Sequence, residues 1–253
     1  MEIYSIPLAL EDFLPVIFSA IALFILAKMI IKMDDGLSHM AYAGVVLVTL
    51  GGLSKATWKL IIALSDAEIN IHILDNALFF GLSTGFILIA YALWYAQRKY
   101  FERRRPDNVW FFPIVVCVVT LGTAFYTATL YDPERASPQI WFLILLGMTT
   151  IFNFITIGLA IRQARHQNQT TATLLLIINL VAIIALQGIA RIGDDTETGQ
   201  WIAQITNTIN QLILLYGVWL LYKGVQDHVA VARSELHQLD YANEPHDMLI
   251  KNS

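Results

Sequence analysis

The chain has 253 residues, of which 57% are hydrophobic and 14% charged, with a mean hydropathy of +0.59. Soluble domains of ordinary composition carry about 25% charged residues, so the composition argues against a soluble globular domain. A net charge of −4 gives no reason to expect nucleic acid as a partner, and the single cysteine, Cys117, excludes a disulfide framework or a thiolate metal site.

Seven apolar runs are long enough to cross a bilayer core, which takes about 20 residues per helix. They cover residues 10–32, 40–64, 71–97, 109–130, 139–162, 171–192 and 199–223. The N-terminus lacks the basic region of a signal peptide and carries Glu2, Glu11 and Asp12, so the first run reads as a retained helix. "MDDGLSH", "YDPERASPQ" and "RIGDDTETG" have the composition of turns between helices. The expected fold is all-α, a seven-helix transmembrane bundle over residues 1–225. Residues 226–253 form a short tail, first an amphipathic helix and then a disordered end.

Lysine and arginine placement sets the orientation. Lys28 and Lys32 flank the first connection. The third holds the basic loop from Arg98 to Arg105, the fifth holds Arg162 and Arg165, and the tail begins at Lys223. The second, fourth and sixth connections are acidic. Basic residues flank cytoplasmic ends, so the N-terminus is expected outside and the C-terminus inside, in a bacterial-type inner membrane. The Arg98 to Arg105 loop offers a surface for anionic lipid headgroups or for a cytoplasmic or membrane protein partner.

The second helix contains "GGLSKATWKLIIAL", with Lys55 and Lys59 one turn apart. An unpaired charge near the bilayer centre costs roughly 2.5–3.5 kcal/mol on insertion scales. Both ammonium groups are therefore expected to face the bundle interior. The third helix begins "INIHILDNALFF", which puts Asp75 and Asn76 near the depth of Lys59. Asp75 is the expected counter-ion of Lys59, and secondarily of Lys55. The sixth helix brings Gln187 and Arg191 to the same depth, and the seventh brings Gln204, Asn207 and Gln211 as one stripe. The inner halves read as apolar apart from Asn153 and Asn179. Together these residues outline a positively balanced polar cavity open to the outside.

An N-out, seven-helix chain resembles the microbial rhodopsins in topology. That resemblance implies retinal on a lysine in the middle of the last helix. Here the only lysine of that helix, Lys223, is at its cytoplasmic end, so retinal is not expected. Haem needs paired histidines within the membrane, and all six histidines fall in loops, helix ends or the tail. "GLSTG" at 81–85 matches a serine-hydrolase string without the strand-turn-helix setting that the motif requires. It reads instead as a close-packing site between helices. No catalytic set recommends an enzyme, and no cofactor is expected. The expected function is binding of a small polar, anionic ligand from the outer side by a sensor or transducer. A small-solute transporter or channel, and a non-catalytic subunit of a larger membrane complex, are the competing expectations.

Overall fold

A computed structural model describes residues 5–102, 107–129, 140–192 and 197–243, of which 102, 129, 187, 189–192, 197 and 228–243 are described by backbone alone. The fold over these residues is all-α, with no strand among them. The helices are α1 (Ile6–Glu11), α2 (Phe13–Met33), α3 (Ser38–Leu64), α4 (His72–Glu102), α5 (Phe111–Thr129), α6 (Ile140–His166), α7 (Thr170–Ile192) and α8 (Glu197–Asn243), with one 3-10 turn at Asp35–Leu37. The first of the seven apolar runs takes in the end of α1 and nearly all of α2, and each of the other six falls on one helix from α3 to α8. Five helical stretches are long and apolar enough to cross a membrane, Ile6–Met33, Asp35–Leu64, His72–Phe101, Phe111–Ala128 and Ile140–His166, and Thr170–Leu186 is a shorter apolar helix. α8 runs on without a break at residue 225. Its 47 residues span about 70 Å at ~1.5 Å per residue, more than twice a bilayer core.

The outward surface is apolar. Val118, Val119 and Phe125 on α5, and Val181 and Ile184 on α7, are exposed. A surface of this kind needs lipid or a partner to cover it. The multi-pass character of the chain rests on this belt and on helix length.

Six helices close a ring in the order α2, α3, α4, α6, α7, α8 and back to α2. α5 stands outside it, against α6 and α4. The most extensive contact is α3 against α4, and glycines cause it. A Cβ on Gly81 would lie 2.6 Å from the Leu47 carbonyl oxygen and 2.9 Å from Gly51 Cα. One on Gly85 would lie 2.7 Å from the Gly44 oxygen. Without side chains at these four positions the two backbones touch, as small residues allow between membrane helices. "GLSTG" is thus one half of the α3–α4 contact. The same contact carries Ser54 to the α4 backbone, where its hydroxyl donates to the Leu74 carbonyl at 2.6 Å.

The helix break at Asp12 follows from Pro15. Proline has no N–H to give the carbonyl four residues earlier, and its ring crowds that carbonyl. Here the carbonyl is that of Glu11, the last residue of α1. The first apolar run is therefore two helices with Glu11 and Asp12 at the joint.

At the other end of the bundle α2, α4 and α6 finish side by side. Lys99 pairs with the fully buried Asp34 carboxylate at 2.7 Å, and the Phe101 and His166 rings are 4.1 Å apart. Asp34 also accepts from the Gly36 amide at 3.2 Å and so shapes the turn into α3. Lys32, Lys99 and Arg165 lie in the last turns of these three helices. Arg98 stacks on Trp94 at 5.6 Å, while Arg103, Arg104 and Arg105 lie outside the described residues.

Candidate functional site

The site is built from one face each of α2, α3, α4 and α8. On α3, Val48, Gly52, Lys55, Ala56 and Lys59 repeat at three- and four-residue intervals and so share a face. Asp12, Val16 and Ser19 do the same from the start of α2, Leu78 and Leu82 on α4, and Asn207 and Gln211 on α8. These residues line a cavity of about 240 Å³. Gly52 leaves room for α2, since a Cβ there would meet Val16 at 3.1 Å.

The charged groups within it are paired. Lys55 makes an ion pair with Asp75, at 29% and 33% side-chain exposure respectively. Its ammonium also lies 4.1 Å from the Trp58 ring centroid, a cation–π arrangement that suits a partly desolvated cation. Trp58 is fixed in turn, its indole N–H donating to Asn70 Oδ1 at 2.9 Å. Lys59 pairs with Asp12 at 2.5 Å and is the more enclosed of the two, at 17% and 14%. This is an ion pair by distance more than a well-aligned hydrogen bond, because Asp12 Oδ2 is buried and accepts none of good geometry. Next to Asp12, Glu11 accepts from the Thr208 hydroxyl on α8 at 2.5 Å.

Two expectations need correction here. Asp75 partners Lys55, and Lys59 turns to Asp12. The α1–α2 break presents Asp12 towards α3, and the start of α2 lies beside the last turns of α3. Among the described residues two lysines face two aspartates, so Asp12 adds a negative charge that the expected balance did not count; Arg191, which it did count, has its side chain outside the described residues.

The remaining candidates divide. Lys55, Lys59, Asn207 and Gln211 line one cavity. Gln211 Nε2 lies 3.4 Å from Asn207 Oδ1, a loose contact that leaves both amides able to turn towards a ligand. Asp75 stands at the edge as the partner of Lys55. Asn76 is exposed. Gln204 is buried on α8 with its carbonyl oxygen unpartnered, two turns before Gln211 and away from the cavity lining. Gln187 and Arg191 are on α7, and their side chains lie outside the described residues.

A second cavity of about 350 Å³ continues from the first and shares Ser19, Val48, Leu82, Asn207 and Gln211 with it. Its far wall carries Thr149, Asn153, Asn179 and Asn210, and its apolar wall includes Leu23, Phe86 and Leu214.

The basic end is not wholly apolar inside, contrary to expectation. Gln97 and Gln163 are fully buried and Gln167 is nearly so. Gln97 Nε2 donates to the Leu159 carbonyl at 2.6 Å, and both polar atoms of Gln163 and of Gln167 have no hydrogen-bond partner. Gln97 and Gln163 belong to packed helix, on α4 and α6, and Gln167 to the turn that follows α6. Among the described residues, no group of three or more histidine, cysteine, aspartate or glutamate side chains is arranged to hold a metal ion. The chain matches no protein-family model, no curated protein and no solved structure.

Proposed function

We propose that this chain is a seven-span protein of a bacterial-type cytoplasmic membrane, with its N-terminus outside. In this reading it binds a small polar ligand carrying a carboxylate or phosphate and signals the occupancy to a cytoplasmic partner. The observation that carries the reading is the cavity lined by Lys55, Lys59, Asn207 and Gln211 at the end of the bundle away from Lys32, Lys99 and Arg165. Cationic helix ends face the cytoplasm, so the cavity belongs to the outer half. An ammonium has three N–H donors, and Asp75 takes one from Lys55. A ligand oxyanion can engage the others, with the neighbouring amides fixing its orientation. The pairing with Asp75 also explains how a charge is tolerated at this depth without ligand. Occupancy would be read out through the basic end of α4 and the protruding length of α8.

The test is ligand stabilisation of the purified full-length protein in lipid nanodiscs, with glutarate as probe. A ligand at a hundred times its Kd adds about 2.7 kcal/mol of stability to the folded state. Glutarate raises the melting temperature of the wild type, and the Lys55→Met/Asp75→Asn variant, which removes both charges together, loses the rise. An equal rise in both proteins would refute the site. The buried Gln97, Gln163 and Gln167 favour a second reading, a transporter, because polar groups then stand at both ends of the bundle. Lys55-dependent glutarate flux into proteoliposomes would replace the sensor with it. Stoichiometric partners retained in mild detergent would favour a subunit of a larger complex.

A further inference from the structure

The inner of the two joined cavities has a polar wall whose hydrogen bonds are half made. Asn179 on α7 is fully buried and Asn210 on α8 is 1% exposed. Asn179 Nδ2 donates to Asn210 Oδ1 at 2.8 Å and to the Asn210 backbone oxygen at 3.1 Å. The bond ties α7 to α8 but uses only one half of each side chain. Asn179 Oδ1 and Asn210 Nδ2 are left buried with no partner, and so is the hydroxyl of Thr149 on α6. A buried polar atom without a partner is destabilising, because it has given up its bond to water. A purely structural asparagine pair would not need to leave three such groups on residues that line a cavity.

What they leave is specific. One carbonyl acceptor remains on α7 and one amide donor on α8, with a hydroxyl on α6 that can serve either way. The complementary edge is a carbonyl oxygen next to an N–H, as in a carboxamide or a urea. The opposite wall, with Leu23, Phe86 and Leu214, suits a short alkyl chain. The volume of about 350 Å³ falls at the small end of ligand sites, which run from about 300 to 1,000 Å³. Asn207 and Gln211 belong to both cavities, so one molecule can extend from the charged chamber to the asparagine wall.

We propose that the inner cavity is a subsite for a carboxamide or ureido group. Its carbonyl accepts from Asn210 Nδ2 and its N–H donates to Asn179 Oδ1, on a ligand whose carboxylate is held at Lys55. This rests on the proposed anion site and adds the identity of the ligand's other end. A carboxylate alone would fill the outer chamber and leave the asparagines unmet.

The test compares two probes of similar length on the full-length protein in nanodiscs, by dose-dependent thermal shift. Glutaramate carries a carboxylate and a carboxamide, and hexanoate carries a carboxylate and an alkyl end. Glutaramate is expected to bind at least tenfold tighter than hexanoate. Asn210→Leu is expected to remove that preference while keeping the affinity for hexanoate. Thr149→Val, a near-isosteric change with little risk to folding, is expected to reduce the preference several-fold. Equal binding of the two probes to the wild type would overturn the amide subsite and leave the outer anion site standing. A preference that survives both substitutions would overturn the assignment to this wall. Failure of both probes to bind would overturn the anion site together with the subsite.

Discussion

Gly81→Ala is a one-carbon change with a large expected effect. The added methyl would stand 2.6 Å from the Leu47 carbonyl oxygen and 2.9 Å from Gly51 Cα. Both neighbours are backbone, so neither can swing away, and α3 and α4 must part by roughly an ångström to restore ordinary contact. Overpacking of this kind costs about 1–3 kcal/mol. For a protein of this size each kcal/mol moves the melting temperature by about 2–4 °C, so a fall of roughly 2–12 °C is expected. The separation also withdraws Asp75 from Lys55, so glutarate binding should weaken as well. Gly158→Ala is the control, because a Cβ there meets nothing within 4 Å. Alanine is favoured over glycine in a helix by about 0.8–1 kcal/mol, so that variant should melt a few degrees higher. Differential scanning fluorimetry of both variants in one detergent reads the contrast. Equal melting temperatures for Gly81→Ala and wild type would refute the backbone contact.

Lys59→Met should destabilise the protein more than Lys55→Met, because the Lys59–Asp12 pair is the more enclosed. Leaving a buried partner uncompensated costs up to about 3–5 kcal/mol, and adding Asp12→Asn should restore most of the loss, as thermal melts would report. Asp34→Ala removes a buried carboxylate that serves both Lys99 and the Gly36 amide. Unfolding measurements should show a loss on the order of 1–3 kcal/mol with Lys99 left unpaired. Ser54→Ala deletes the 2.6 Å bond to the Leu74 carbonyl and should cost about 0.6 kcal/mol, the mean for interhelical hydrogen bonds in membranes.

The helices were legible because each apolar run is long and bounded by turn residues, and run length is what a membrane selects. The face of α3 was legible as well, since two lysines one turn apart have only one low-energy direction to point. Asp12 was the main loss from the site. It stands among the first residues of the first run, where an acidic residue also serves to mark an outer helix end. Only its depth match with Lys59, combined with the break that Pro15 imposes, identifies it as a partner. Asp75 went to the wrong lysine for a related reason. Sequence gives depth to within about a turn, and Lys55 and Lys59 differ by one turn. Gln163 and Gln167 were hidden because an uncharged polar residue next to a basic cluster looks like loop, and Gln97 because it stands at the last position of its apolar run. Their burial depends on how the ends of α4 and α6 and the turn after α6 pack together. The position of α5 outside the ring could not be read at all, since apolar composition does not tell lipid from protein as the neighbour.

The central claim is that a water-accessible chamber lies between α2, α3, α4 and α8 and opens to the outer side. Its most direct test is thiol labelling of Asn207→Cys in a Cys117→Ser background, with a membrane-impermeant reagent applied to intact cells. Cys117 is the only native cysteine, so the background is silent. Asn207→Cys should label from outside, while Val181→Cys, on the exposed apolar surface, should not. An Asn207→Cys protein that stays unlabelled, or reacts only after the cytoplasmic side is opened, would contradict the chamber and the function built on it.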